Sequence, residues 1–113
     1  MAELTWETSA DGDDELYVAL SGELDISNVD RFEQELMELE QPRPPLIVLD
    51  LRAVRFIDST GLSLLLNADA RARRQSRHVT IISGSGAARR IMRTVALDQI
   101  LDVKTDLRKD ARS

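Results

Sequence analysis

The sequence predicts an α/β fold built on a single mixed β-sheet with helices packed against it. Two N-terminal segments alternate apolar and polar residues, which is the period of half-buried strands. Two later segments are short, almost continuous apolar runs, and stretches of helical periodicity separate and follow them. The predicted order is β-β-α-β-α-β-α. We expect one domain over residues 1–113, with its core at 16–103 and a charged tail at 104–113 that frays.

The first two strands form a predicted β-hairpin. Residues 4–9 alternate weakly, and residues 16–20 alternate clearly between large apolar and smaller or polar side chains. Residues 10–15 between them combine four acidic residues with Gly12, a composition typical of a turn.

The first helix follows the hairpin. Ser27 is its predicted N-cap, with Asp30 three residues further on. The prolines at 42, 44 and 45 end it. Its apolar positions recur at helical spacing and are Val29, Phe32, Leu36 and Leu39.

Residues 46–51, LIVLDL, predict a central strand that is covered on both faces. A second helix runs over residues 58–75 and leads to another strand at 78–83. Right-handed crossovers would make these two strands parallel. A third helix over 88–95 and a short edge strand at 100–103 complete the predicted elements.

The composition excludes several classes of protein. A formal net charge of −5 argues against binding to phosphate backbones, so we expect no nucleic acid partner. The chain has no cysteine and one histidine, which argues against disulfides and metal sites, and we expect no cofactor. No apolar run approaches the roughly 20 residues of a membrane span, and the acidic N-terminus is unlike a targeting peptide. We therefore expect a cytoplasmic protein without a membrane partner. A cluster of basic residues predicts a solvated helix face; it comprises Arg71, Arg73, Arg74 and Arg77.

The most informative segment is residues 54–66, where a predicted buried strand ends and a helix begins. Asp58 or Ser59 must cap that helix, whose first N–H groups are unpaired and attract anions. Ser59 therefore lies where backbone amides can hold a phosphate, and Thr60 is next to it. Gly61 allows a close approach to the backbone. The structural alternative is that this segment is only a good helix cap.

Four segments resemble the STAS domain family (sulphate transporter and anti-sigma antagonist). D-S-T-G-L at residues 58–62 resembles the family signature D-S-[S/T]-G-[L/I/V]. L-S-G-E-L-D at residues 20–25 resembles its L-x-G-x-L-D segment, and residues 48–51 resemble the strand that precedes the signature. Residues 90–98 resemble the third helix and its following turn, with Ala96 where a glycine is common. The resemblance spans residues 16–103 with order and spacing intact.

The resemblance implies a mixed sheet with packed helices and a non-catalytic regulatory function. In standalone family members, the serine after the signature aspartate is phosphorylated by an anti-sigma factor with an ATP-binding serine kinase fold. That residue is Ser59 here, with Thr60 as second candidate. The unphosphorylated protein binds the anti-sigma factor and frees the sigma factor, and a metal-dependent serine phosphatase acts on the phosphorylated form. We expect a monomer or a weak dimer.

Several residues have both a functional and a structural interpretation. Asp25 and Asp58 either orient the Ser59 hydroxyl or contact the kinase's nucleotide site, or they are ordinary turn and cap residues. Leu62 and Leu66 contact the partner or pack in the core. The full set of candidate partner-binding residues is Asp25, Ser27, Asn28, Asp58, Thr60, Gly61, Leu62 and Leu66.

Two rival functions can be separated from this one. A serine hydrolase would need His78 as the base for Ser59, but His78 opens a strand and no G-x-S-x-G elbow is present. A STAS scaffold, or a small-ligand sensor for a nucleotide or lipid in a transport or stress-sensing complex, would use the same domain without phosphorylation. Such a scaffold would bind its partner equally well after Ser59→Asp.

Overall fold

The computed structural model describes residues 3–12 and 14–106, which form strands β1 to β5, helices α1 to α3 and one 3₁₀ turn. The outer part of the predicted charged tail, from residue 107 onward, lies outside the described residues. The elements are β1 (Leu4–Asp11), β2 (Glu15–Leu24), α1 (Val29–Leu39), β3 (Leu46–Ile57), α2 (Ser59–Arg74), β4 (His78–Ile82), α3 (Ala87–Thr94), the 3₁₀ turn (Leu97–Gln99) and β5 (Asp102–Lys104).

The five strands form one mixed sheet in the order β1-β2-β3-β4-β5. β1 and β2 are antiparallel, and the pairs β2–β3, β3–β4 and β4–β5 are parallel. The predicted N-terminal hairpin, the central position of β3 and the parallel pairing of β3 with β4 are confirmed. The α/β class with a single mixed sheet is therefore confirmed as well.

All three helices lie on one face of the sheet. Each parallel strand is added beside the preceding one in the same direction, so right-handed crossovers place every helix on the same side. Phe32, Ala68 and Met92, from the three helices, share one apolar core with Leu49 and Ile81 of the sheet. On the opposite face of the sheet, Val48 and Ile82 are buried outside that core.

A buried acid lies on that opposite face. Arg52 donates from Nε and Nη2 to the carboxylate of Asp50 at 3.0 and 2.7 Å, and the Tyr17 hydroxyl donates to the same group. Burial alone would raise the pKa of Asp50, but the hydrogen bonds from Arg52 and Tyr17 outweigh it and hold that pKa below its usual value. The predicted burial of the LIVLDL strand on both faces is thus achieved with an ionised group on one of them.

Several predicted boundaries differ from the structure. The first helix begins at Val29 with Asn28 in the N-cap position, so the assignment of Ser27 as N-cap is wrong. The apolar run at residues 46–51 and the strand predicted to end before the helix at residue 58 belong to one strand, β3, whose register with β2 shifts at two points. The edge strand begins at Asp102 rather than at residue 100, since Ile100 and Leu101 donate their N–H groups to the carbonyl of Leu97 and close the 3₁₀ turn.

An ion cluster joins the far ends of α1 and α2, and we call it the Glu40 cluster. It consists of Glu33, Glu40, Arg71 and Arg77. Arg71 donates to both carboxylate oxygens of Glu40, at 3.1 and 2.9 Å, and to Glu33 at 3.0 Å. The side chains of Glu40 and Arg77 are each only 7% exposed. The prediction of a solvated basic face is therefore wrong for Arg71 and Arg77, which are anchored inside the fold.

Candidate functional site

The candidate site forms where two chain segments meet at one edge of the sheet. Residues 25–28 follow β2 and residues 58–61 follow β3, and the carboxyl ends of parallel neighbours lie at the same edge. Asp58 donates its N–H to the carbonyl of Leu24 at 3.2 Å. Ile26 donates its N–H to Oδ2 of Asp58 at 3.0 Å. The sheet therefore brings the two sequence motifs into direct contact.

Asp58 caps α2 and ties it to the turn after β2. Its Oδ1 accepts hydrogen bonds from the N–H groups of Thr60 and Gly61, at 3.0 and 3.1 Å, and from the Thr60 hydroxyl at 2.5 Å. Burial alone would raise the pKa of Asp58, but the hydrogen bonds from Thr60, Gly61 and Ile26 outweigh it and lower that pKa. Asp58 is thus held as a carboxylate at neutral pH.

Replacing Asp58 with alanine should destabilise the protein by about 1 kcal/mol at neutral pH, because the helix loses its N-cap. The lowered folded-state pKa means that the ionised carboxylate stabilises the fold above its ordinary pKa of 3.8. This contribution is lost as the pH falls through the folded-state value. Chemical denaturation of wild type and Asp58→Ala at pH 7 and near pH 3 measures it, and the difference between them should shrink in acid. An equal difference at both pH values would contradict the assignment.

Ser59 and Thr60 differ sharply in the state of their hydroxyl groups. Ser59 is exposed, and its side chain makes no hydrogen bond to any residue in the described ranges. Thr60 is half-buried, and its hydroxyl is donated to Asp58. Of the two predicted phosphoacceptors, Ser59 is the one whose hydroxyl is accessible.

The turn after β2 is fixed by its own side chains. Oδ1 of Asp25 accepts from the N–H and the hydroxyl of Ser27, at 2.9 and 2.6 Å. Asn28 is buried, accepts from the N–H of Asp25 at 3.0 Å and donates to the carbonyl of Glu23 at 2.8 Å. Ser27 and Asn28 therefore order this turn instead of capping α1 through their side chains. The proposed effect of Asp25 on the Ser59 hydroxyl stays a prediction.

The sequence reasoning missed Ile26, which lies between these residues. It is 74% exposed, the largest exposure among the large apolar side chains of the described residues. Its signal in the sequence is an isoleucine inside an otherwise polar turn, D-I-S-N.

Gly61 is buried, and the segment that approaches it belongs to the protein itself. A Cβ at this position would lie 2.9 Å from the carbonyl oxygen of Leu24 and 2.8 Å from Cγ2 of Ile57. The glycine thus lets α2 sit against the end of β2. A role for Gly61 in partner binding stays a prediction and would act through this packing.

Leu62 and Leu66 lie on α2 and are half-buried against the core. Their packing explains why apolar residues extend around the helix beyond its buried stripe. Because both side chains remain partly accessible, contact with a partner stays a prediction.

The serine hydrolase arrangement is excluded by topology. His78 pairs with Leu46 at the start of β3, whereas Ser59 follows the opposite end of that strand. At about 3.3 Å per residue the two are more than about 30 Å apart. His78 instead contacts Asp102 at 2.6 Å, and the Thr80 hydroxyl donates to the same carboxylate oxygen at 2.9 Å.

In residues 3–12 and 14–106, no cluster of three or more histidine, cysteine, aspartate or glutamate side chains is arranged to hold a metal ion. None of the helices in this part of the chain is both long enough and apolar enough to cross a membrane.

The family profile described as "Mlab, STAS domain" matches residues 8–103, most of the chain. No curated protein matches the sequence. An anti-sigma factor antagonist from Mycobacterium paratuberculosis is 26% identical, with a TM-score of 0.79 over 95% of this chain and 90% of that one. A putative anti-sigma factor antagonist from Thermotoga maritima is 20% identical, with a TM-score of 0.76 over 95% and 92%. The phosphorylated form of SpoIIAA from Bacillus is 17% identical, with a TM-score of 0.70 over 96% and 98%.

With the fold and the profile in agreement, the chain belongs to the STAS domain family. The signature that carried the resemblance, residues 58–62, directly follows β3 and forms the N-cap and the first turn of α2.

Proposed function

We propose that the protein is a cytoplasmic anti-sigma-factor antagonist that is switched off by phosphorylation of Ser59. One observation carries the proposal: Ser59 presents an exposed hydroxyl at the start of α2 that is hydrogen-bonded to none of the described residues, while the hydroxyl of Thr60 donates to Asp58. A kinase can reach the first without breaking a contact of the fold. The likeness to anti-sigma factor antagonists of known structure supports the same role.

The switch acts locally at the partner surface. A phosphate adds about −1.5 to −2 charges and three acceptor oxygens. On Ser59 it would lie beside the carboxylate of Asp58, which already holds the N–H groups of Thr60 and Gly61. The added charge repels the anti-sigma factor's bound nucleotide, and the added bulk obstructs the surface. The start of a helix tolerates negative charge, so the fold persists and a serine phosphatase can reverse the change.

Phosphorylation is tested by intact mass after incubation with ATP and the kinase-fold anti-sigma factor from the same genome. Wild type should gain one phosphate, and Ser59→Ala should gain none. Thr60→Val removes the neighbouring hydroxyl and should still gain one phosphate. Ser9→Ala, which removes an exposed serine of β1 at the opposite end of the sheet, is the matched control and should behave like wild type.

The proposal also fixes what phosphorylation must leave unchanged. Far-UV circular dichroism of the phosphorylated protein should match that of the unphosphorylated protein. A phosphate on Thr60, an absence of phosphate on wild type, or a loss of helical signal would each contradict the proposal.

A second candidate is a STAS scaffold or ligand-sensing module without phosphorylation. It is favoured by the likeness to a sulfate transporter family protein from Wolinella succinogenes, with 16% identity and a TM-score of 0.73 over 89% of this chain and 84% of that one. Ser59→Asp separates the two candidates. An antagonist should lose its anti-sigma partner, whereas a scaffold should bind its partner as before.

A further inference from the structure

We propose that the groove between α1 and α2, beside Ser59, binds a segment of the anti-sigma factor that presents an apolar side chain next to a cationic one. The inference rests on the proposed function and names a second part of the partner surface. We call this feature the α1–α2 groove. It is an open depression of about 360 Å³ whose apolar floor is formed by Val29 and Leu64.

An exposed apolar residue with a fixed backbone lies at the mouth of the groove. Ile26 lines it and is 74% exposed, yet its backbone is held by the hydrogen bond to Asp58. The residues on either side of it are also held in place, because Ser27 donates two hydrogen bonds to the carboxylate of Asp25. A residue whose backbone is fixed in this way loses little backbone freedom on binding, which favours its use as an anchor.

The charge of the groove fits a cation. Asp30 and Glu33 form its α1 wall, and Ser63 and Asn67 form a neutral α2 wall. Glu33 is already paired with Arg71, so that acid is largely satisfied. Asp30 is exposed and makes no ion pair within the described ranges. No basic side chain of residues 3–12 and 14–106 lines the groove, so a partner cation would meet a carboxylate there that these residues leave without a counter-charge.

The groove and the phosphoacceptor are adjacent and structurally coupled. Thr60 lines the mouth of the groove and directly follows Ser59 in the chain. One carboxylate oxygen of Asp58 accepts a hydrogen bond from Thr60, and the other accepts one from Ile26. A partner that reaches Ser59 therefore lies within reach of the groove, where binding would add affinity and discriminate between related anti-sigma factors.

The experiment measures the dissociation constant of the unphosphorylated protein for the anti-sigma factor used in the phosphorylation assay. Ile26→Ser and Asp30→Lys should each weaken binding by about tenfold or more. Ile100→Ser removes an isoleucine of 57% exposure from the 3₁₀-turn region and is the control for Ile26. Glu38→Lys makes the same charge change on the exposed side of α1 and is the control for Asp30. Both controls should bind within about twofold of wild type.

The outcomes separate the inference from the proposed function. If wild type is phosphorylated on Ser59 but the two groove variants bind like their controls, the groove is not part of the interface and the antagonist function stands. If the controls weaken binding as much as the groove variants, the inference is also overturned. If wild type neither binds the anti-sigma factor nor accepts phosphate, both proposals fall. Circular dichroism of each variant excludes unfolding as the cause.

Discussion

Replacing Glu40 with alanine is expected to destabilise the protein by about 3 kcal/mol. The Glu40 side chain is 7% exposed and neutralises two arginines, Arg71 and Arg77, whose side chains are 16% and 7% exposed. Truncation would leave these buried cations without their main counter-charge. The retained pair between Arg71 and Glu33 keeps the loss at the lower end for a broken buried ion pair. Urea denaturation followed by circular dichroism gives the free energy of unfolding.

Two variants test whether charge or packing is responsible. Glu40→Gln keeps the shape of the side chain and most of its hydrogen-bonding geometry, and it should still lose a large part of the stability. Glu38→Ala removes an exposed acid from the same helix and should change the stability by less than about 0.5 kcal/mol. A loss below about 1 kcal/mol for Glu40→Ala would show that the Glu40 cluster contributes little.

Gly61→Ala is expected to destabilise the protein by about 2 kcal/mol and to slow phosphorylation of Ser59. The new methyl group would lie 2.9 Å from the carbonyl oxygen of Leu24, which is a backbone atom and cannot move away by a change of rotamer. The first turn of α2 must therefore move away from β2. Because Ile26 and Asp58 join these two elements, the same movement displaces the phosphoacceptor from the turn after β2.

The matched control is Gly86→Ala, at the start of α3. A methyl group at Gly86 would meet nothing within 4 Å, and the residue has an ordinary negative φ. It should cost less than about 1 kcal/mol and leave phosphorylation of Ser59 unchanged. Equal effects of the two glycine substitutions would contradict the role assigned to the contact between Gly61 and Leu24.

The elements and their pairing could be predicted because local patterns determine them. The alternation in residues 16–20 and the apolar run in residues 46–51 identify strands whatever the rest of the chain does. Boundaries were less predictable, because long-range hydrogen bonds set them. Serine is a common N-cap residue, but the hydroxyl and the N–H group of Ser27 both donate hydrogen bonds to the carboxylate of Asp25. Arg71 and Arg77 were misplaced for the same reason, since nothing local shows that Glu40 is buried beside them.

In the candidate site, too, some features could be predicted from the sequence and others could not. The residues of its signature could be identified from the sequence, and the cap formed by Asp58 was among the predicted alternatives. The difference between the exposed Ser59 hydroxyl and the hydrogen-bonded Thr60 hydroxyl could not be predicted, because both side chains can form the same hydrogen bonds in principle. The exposure of Ile26 depends on the bond from its N–H group to Asp58, thirty-two positions further along the chain.

The two ends of helix α2 have different roles, one in recognition and the other in stability. Its first turn holds Ser59, and its last turn carries Arg71 of the Glu40 cluster, about 12 residues or 18 Å further along the axis. Substitutions of exposed side chains around the first turn can alter the choice of partner while the ion cluster at the other end maintains the fold. Such a domain is suited to diversification after gene duplication, since copies can diverge in recognition without first acquiring compensating stabilising changes.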